Sequence, residues 1–520
     1  MDTSSKTLVS HKIKTVEQLR AAIGARPRDR KVIMCHGTFD VVHPGHIRHL
    51  LYAKSKGDVL VASLTADVHI AKGKLRPFVP EELRAFNLAA LEVVDHVIID
   101  RDATPLKNLA IIQPDYFAKG YEYSNNGINP KTQEEIAVLD SYGGEVIFTP
   151  GDIVYSSSAL IELAPPGIGT EKLMVLMEAE ELGFEDLDRA LLQFQGVKVH
   201  VVGDTIVDTL TQCIPIGGTA KTPTMSVLFQ NKVDFPGGAA IVAKHLRAAG
   251  ADVTFSTVLG NDALKDFVLA DLERAGVGVH AIIDETRPTT NKNAVVADGY
   301  RLLKIDTLDN RSISERNVAD LKEQIASVPT DAVVFSDFRH GIFNRNTIPK
   351  LASAIPAGTF RVADSQVASR WGNILDFEGF DLITPNEREA RFALGDQDSI
   401  VRPLADELHR RSKCRTLIMK LGERGIITSF RRAADDSIGF LVIDSFADRV
   451  VDAVGAGDAL LAYATLGMVA TKNEAIASIL GCFAAGIECE ADGNSPVTPD
   501  ALRKKIRHVE THTSYGSNGA

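Results

Sequence analysis

Two stretches of this chain combine residue types and spacing that can do chemistry. In Val451-Asp452-Ala453-Val454-Gly455-Ala456-Gly457-Asp458, small residues run directly into a carboxylate and then an apolar, helix-like segment. Gly455, Ala456 and Gly457 carry no bulk to keep an anion from their backbone N–H groups, and a helix opening there adds its positive end. Asp458 is then placed to take the proton of a substrate hydroxyl while the amides hold charge on a transferred phosphoryl group. The plain alternative is a glycine-rich turn capped by an aspartate. The second stretch is Cys35-His36-Gly37-Thr38-Phe39-Asp40, leading to His43-Pro44-Gly45-His46. Two histidines three apart on a first helical turn point the same way and meet an anion where helix amides favour one. Zinc would need a third ligand at suitable spacing, and none is evident nearby.

These residues need strands and helices to hold them. Val32-Ile33-Met34, a helix-like segment around Ile47 to Lys56, and Val59-Leu60-Val61-Ala62 form a strand–helix–strand pattern, continued by apolar runs at Val97, Tyr116 and Val146. This predicts a parallel sheet with helices on its faces, ending near residue 165. Pro165-Pro166-Gly167-Ile168-Gly169 reads as a linker, and Glu171 to Phe194 as helical. From Val197 a second alternating series begins, with strand-like runs at Ala332, Phe360, Asp381 and Thr416, most ending on polar or glycine turns. In open α/β sheets ligands collect at those carboxyl ends. The expected divisions are 1–165, a linker and helix at 166–195, a second domain at 196–510 and a frayed tail at 511–520.

Composition sets limits. A chain of 520 residues is too long for one ordinary core. Hydrophobic residues at 45% and charged residues at 24% are globular averages. The net charge of −11 argues against nucleic acid or an anionic membrane as a general partner, so anionic substrates must be met by local clusters. Five scattered cysteines without a CxxC pair fit a reducing compartment. With no apolar h-region after Met1 and no run near the roughly 18 apolar residues of a membrane span, a cytoplasmic soluble protein is expected.

The stretch from Cys35 to His46 resembles the signature of the nucleotidyltransferases that include glycerol-3-phosphate cytidylyltransferase and the adenylyltransferase domains of heptose-activating enzymes. Lys72-Gly73-Lys74-Leu75-Arg76-Pro77 resembles the family's basic loop, Arg84 its helix arginine, Tyr116-Phe117-Ala118-Lys119-Gly120 its strand and turn under the nucleotide, and Tyr155-Ser156-Ser157-Ser158 its closing helix start. The resemblance implies a Rossmann-like fold in which His43 and His46 stabilise charge on the nucleotide α-phosphate while pyrophosphate leaves. Lys72 would clamp phosphates, and Ser156 and Ser157 would donate hydrogen bonds. Gly37, Thr38, Phe39, Asp40, Lys74, Arg84, Lys119, Gly120 and Ser158 would line the nucleotide. Lys74 and Arg76 also read as plain solvated charges.

From Val197 onward the chain resembles the ribokinase-like (PfkB) sugar kinases, which implies an α/β domain with a small β lid. Asp208 and the Gly237-Gly238 turn would bind sugar, with Lys292 beside them; Asn386 and Glu389 would organise Mg²⁺ through water; Lys420 and Gly422 would lie on the nucleotide side. Gly455 to Gly457 would then be the anion hole and Asp458 the base. Asp204 also reads as a turn cap, and Asn386 as a helix N-cap. Arg339 lies where relatives contact substrate or phosphate. The chain departs from heptose kinases at Ile241, at Ser336-Asp337-Phe338-Arg339-His340-Gly341, at Asp364-Ser365-Gln366 and, mildly, at Val454.

Together the two parts resemble the bifunctional heptose kinase/adenylyltransferases of bacterial envelope synthesis, with the domains in reversed order. The resemblance implies ATP and Mg²⁺ for the kinase, ATP or CTP as nucleotidyl donor, and ADP-heptose as favoured product. A CDP-activated sugar or polyol is the alternative product. A different alternative makes one domain a sensing or dimerising module. Ile214 to Gln230 with Thr289 to Asp306 would form a lid through which the chain dimerises.

Overall fold

Val32, Met34 and their alternates Ile33 and Cys35 are all fully buried, so β1 (Val32–Gly37) must be covered on both faces. The computed structural model describes residues 9–70, 77–120, 130–149, 169–218, 225–366, 373–432, 437–491, 493 and 495–514. In it β1 is the centre of a parallel sheet with β2 (Val59–Thr65), β3 (His96–Asp100), β4 (Tyr116–Gly120) and β5 (Glu145–Thr149), in the order β3-β2-β1-β4-β5. Alternate residues feed two cores. Ile33, Cys35, Leu60 and Ala62 pack with Leu50 and Leu88, while Val32, Met34, Val59 and Val61 pack with Leu19, Leu109 and Leu139. The strand order reverses between β1 and β4, which makes the carboxyl end of β1 the expected ligand edge. His43 and the helix Pro44–Lys54 leave from that edge.

The chain divides into two compact units, Met1–Val175 with His512–Ala520, and Leu176–Thr511. The division falls inside the helix Gly169–Ala179.

The second unit has a nine-stranded sheet. It comprises β6 (Lys198–Gly203), β9 (Asp252–Leu259), β10 (Gly278–Ile283), β13 (Ala332–Asp337), β14 (Phe360–Ser365), β15 (Leu382–Ile383), β16 (Thr416–Lys420), β17 (Ile426–Arg431) and β18 (Ile438–Ile443). The order is β10-β9-β6-β13-β14-β15-β16-β17-β18, parallel except for the last two pairings. Val333, Phe335, Ala363, Ile383 and Leu417 from its middle strands join Phe343, Phe377 and Phe380 in one core. A separate four-stranded sheet, β12-β11-β7-β8, is built from β7 (Thr205–Gly218), β8 (Met225–Gly238), β11 (Asn291–Ala297) and β12 (Tyr300–Thr307). This is the expected lid, but its first hairpin starts nine residues earlier than Ile214, at Thr205. Only Asp204 separates Thr205 from β6, which hides the start of the hairpin, and the ladder breaks register between Gln212 and Cys213 and between Pro215 and Gly217. Ile216, Leu228, Phe229, Tyr300 and Leu303 are exposed on this sheet.

Candidate active sites

Gly455 opens the helix Ala456–Thr471 with φ 89°, a left-handed conformation that glycine adopts without steric cost. A first helical turn leaves N–H groups without partners inside the helix, so Ala456 and Gly457 present theirs at its positive end. Asp458 sits in that turn, 8% exposed. Burial, then the charge of Asp364, push its carboxyl up to about 8, with Asp208 and Glu488 adding to the effect and Lys420 opposing it. Asp208 and Asp458, 250 positions apart in sequence, therefore feel each other's charge. Lys420 ends β16 and donates to Asp364 at 2.8 Å, and a Cβ at Gly457 would lie 3.3 Å from its Nζ. Thr384 holds the same Asp364 oxygen at 2.7 Å. Asp364 was legible only as a departure from a family pattern, yet it ends a central strand on the ligand edge, which is the signal that finds it.

Asp208 lies on β7 opposite Lys292 on β11, which in turn faces Asp306 on β12. Burial raises the proton affinity of Asp208, and Lys292 moderates it. Gly237 is required here, because a Cβ would come within 2.2 Å of Asp208 Oδ2. Gly237→Ala therefore pushes that carboxylate away, and the expected result is a rise of about tenfold or more in KM for the sugar, the worth of one hydrogen bond to a charged group, with KM for ATP unchanged in steady-state kinetics. Gly238 has φ 61° and a Cβ there would meet Asp204 O at 2.5 Å. Asp204 itself proves to be a loop anchor: its carboxylate accepts from the N–H groups of Phe338, His340 and Ile342. Arg339 is tied to Asp337 at 3.0 Å and to Ser365 at 3.0 Å and is almost wholly buried.

Asn386 caps the helix Glu387–Leu394. Its side chain accepts from Glu389 N at 2.9 Å, and Glu389 Oε2 accepts from Asn386 N at 2.7 Å. Glu389 also bears on Lys420. Among the described residues no three His, Cys, Asp or Glu side chains group as a metal's ligand set. The hard oxygen donors of Asn386, Glu389 and Asp364 fit a hydrated Mg²⁺ held partly by nucleotide phosphates, and not one caged by protein. Gly422, φ 63°, turns the chain after Lys420.

In the first unit His43 is the N-cap of Pro44–Lys54, with Nδ1 accepting from Gly45 N at 3.1 Å. That bond puts the ring proton on Nε2. Burial lowers the proton affinity of His43, so the neutral ring donates from Nε2. The rings of His43 and His46 stack at 4.0 Å, and Phe39 lies 5.2 Å from His46. Gly37 ends β1 against the Phe39 ring.

Three residues expected to line the nucleotide also bond within the protein. Asp40 accepts from Phe78 N and Val79 N at 2.7–2.9 Å, holding the segment that follows the basic loop. Arg84 is fully buried and ties Val79 O, Thr38 O, Thr65 O and Asp67 together. Lys119 pairs with Glu135 and Thr132 beside Gly120. In this structure Arg84 offers no exposed surface to a phosphate. Lys72, Lys74, Ser156, Ser157 and Ser158 lie outside the described residues.

A parallel sheet, a four-stranded lid and a buried aspartate in the first turn of a glycine-opened helix define a ribokinase-like α/β fold in the second unit. The chain belongs to the pfkB carbohydrate kinase family, whose model matches residues 198–501. Residues 34–162 match the cytidylyltransferase-like model, so both resemblances and their order along the chain hold. Bifunctional protein HldE of Geobacter metallireducens is 39% identical over 138 residues, 26% of this chain and 27% of that protein. HldE of Marinomonas sp. (strain MWYL1) is 28% identical over 338 residues, 64% of this chain and 68% of the relative. The first match thus spans little more than a quarter of the relative's length. Phosphofructokinase-2 of Escherichia coli, crystallised with potassium, superposes with a TM-score of 0.51 at 17% identity, covering 60% of this chain and 99% of that one, and shares the fold.

Proposed function

We propose that this chain is a bifunctional sugar-activating enzyme: an ATP-dependent sugar kinase at Asp458 and a nucleotidyltransferase at His43 and His46. The observation that supports it best is the Lys420–Asp364 pair, 2.8 Å long, set beside Gly457 in the first helical turn that carries the buried Asp458. In the kinase, Asp208 orients the substrate hydroxyl and Asp458 takes its proton as the oxygen bonds to the γ-phosphorus of ATP and the bond to ADP breaks. The N–H groups at Gly455 to Gly457 and the Lys420 ammonium hold the phosphoryl charge in place. Mg²⁺, arranged through Asn386, Glu389 and water, would neutralise the phosphates. In the transferase, a sugar 1-phosphate oxygen attacks the nucleotide α-phosphorus, pyrophosphate leaves, and His43 and His46 donate to the α-phosphate oxygens. Lys72, Lys74 and Ser156 to Ser158 would complete that site.

Heptose is the favoured sugar and ADP-heptose the favoured product, from the likeness to HldE proteins. The cytidylyltransferase-like match favours the second reading, a CDP-activated sugar or polyol. Domain limits at 1–165, 166–195, 196–510 and 511–520, a cytoplasmic site of action and a homodimer closed through the apolar lid face complete the reading. Among the described residues no helix is long and apolar enough to cross a membrane. A screen of ATP and CTP against sugar 1-phosphates, read as pyrophosphate and product mass, tests the transferase. Pyrophosphate from ATP with a heptose 1-phosphate is the expected result; release with CTP alone would favour the second reading.

The kinase also has a pH signature. Asp458 acts as a base only when ionised, and its carboxyl titrates near 8, so kcat/KM falls as pH drops through that value. Removing the Asp364 charge removes the largest neighbouring charge that raises it. Asp364→Asn is expected to move the acid limb of the kcat/KM profile to lower pH, whatever it does to the plateau; an unmoved limb would show that Asp364 does not set the base.

A further inference from the structure

The loop after β13 is built around one carboxylate. Phe338 N, His340 N and Ile342 N converge on Asp204 at 3.0, 3.1 and 3.3 Å. To make that turn, Arg339 takes φ 65° and Gly341 φ 116°. A non-glycine residue is uncommon in that region and persists where the surroundings over-determine it, often at ligand sites. The Arg339 side chain turns to Asp337 and Ser365, and the neighbouring His340 side chain is 5% exposed.

His340 Nδ1 lies 2.7 Å from Asn310 Oδ1. The amide oxygen can only accept, so Nδ1 carries the proton and Nε2 keeps a lone pair. Nε2 is buried and has no hydrogen-bond partner among the described residues. Burial first, then the cations of Lys292 and Lys304 on the lid strands, push the ring down to about 4, so it stays neutral. The loop's anchor places the ring on the sugar side: Asp204, which holds His340 N, also accepts from Ala239 N at 2.9 Å, directly after the Gly237-Gly238 turn that abuts Asp208. A buried acceptor left unmatched is costly and calls for a donor, which a water or a substrate hydroxyl supplies.

We propose that His340 is a specificity-determining residue of the sugar site, its Nε2 accepting a hydrogen bond from a substrate hydroxyl. This rests on the kinase reading above. A neutral acceptor selects for a donor, so it favours a hydroxyl at that point of the substrate and disfavours a phosphate oxygen or a deoxygenated carbon.

The test uses the full chain with ATP, a heptose phosphate and its singly deoxygenated analogues, following ADP release. One analogue is expected to be about tenfold poorer than the parent sugar with the unaltered chain, the worth of one neutral hydrogen bond. With His340→Ala the parent sugar drops to the level of that analogue, mainly through KM, and the difference between the two disappears. His340→Gln, which keeps an acceptor near the Nε2 position, recovers most of the discrimination. KM for ATP stays unchanged throughout. Equal penalties for all analogues with the unaltered chain and His340→Ala, or a loss in kcat alone that tracks a fall in Tm, would overturn the proposal and leave His340 a packing residue. If the unaltered chain neither binds nor phosphorylates any sugar in titration calorimetry and kinetics, the kinase reading itself fails.

Discussion

Asp458→Asn should remove sugar phosphorylation and spare pyrophosphate release. The side chain is nearly isosteric and the fold around it is buried, so the change removes the base and little else. Proton transfer by a positioned side chain is worth about 10²–10⁴-fold, and kcat is expected to fall by that factor with the sugar KM nearly constant. Stability should move the other way. The folded-state carboxyl titrates near 8, above its ordinary value of 3.8, so the native state holds the proton more tightly than the unfolded chain. Its contribution to stability is fully present below pH 3.8 and is lost as pH rises toward 8. An asparagine mimics the protonated form and escapes that loss. The variant is therefore expected to melt above the unaltered chain at pH 8 and level with it near pH 4, as calorimetry would show. Loss of activity with a lower Tm at pH 8 would instead mean that the substitution damaged the fold.

His46→Ala should do the complementary thing. The His43 and His46 rings stack at 4.0 Å at a helix amino end, and His43 is fixed by Gly45 N with Nε2–H directed away from that bond. Removing one donor aimed at developing charge typically costs about 10²–10³-fold in kcat. That loss is expected in pyrophosphate release from a nucleoside triphosphate and a sugar 1-phosphate, with ADP release by the kinase unchanged. Unchanged pyrophosphate release would remove His46 from the transferase site.

Residues whose chemistry is local were readable from the chain. Gly455 to Asp458 and His43 to His46 are contiguous motifs at strand-to-helix junctions, so spacing alone says which way they point. The lid was readable in place but short, because only Asp204 separates β6 from β7 and Thr205 to Asp208 read as the end of the preceding strand. Asp40, Arg84 and Lys119 were assigned to nucleotide from family position. Their partners in the protein, the N–H groups of Phe78 and Val79 for Asp40, Thr38 O for Arg84 and Glu135 for Lys119, are brought opposite them only by the fold. Asp364 and His340 were seen merely as departures. Their partners Lys420 and Asn310 lie 56 and 30 positions away, so no local pattern reveals them.

The most direct test of two working sites on one chain is product mass from the unaltered protein, Asp458→Asn and His46→Ala. Each is given ATP with a heptose phosphate in one vessel and ATP with a heptose 1-phosphate in another. The expected result is a further phosphorylated sugar in the first and a nucleotide-sugar with pyrophosphate in the second, each variant losing one product and keeping the other. A folded unaltered chain that makes neither product from any sugar tried, or variants that lose both together, would contradict it.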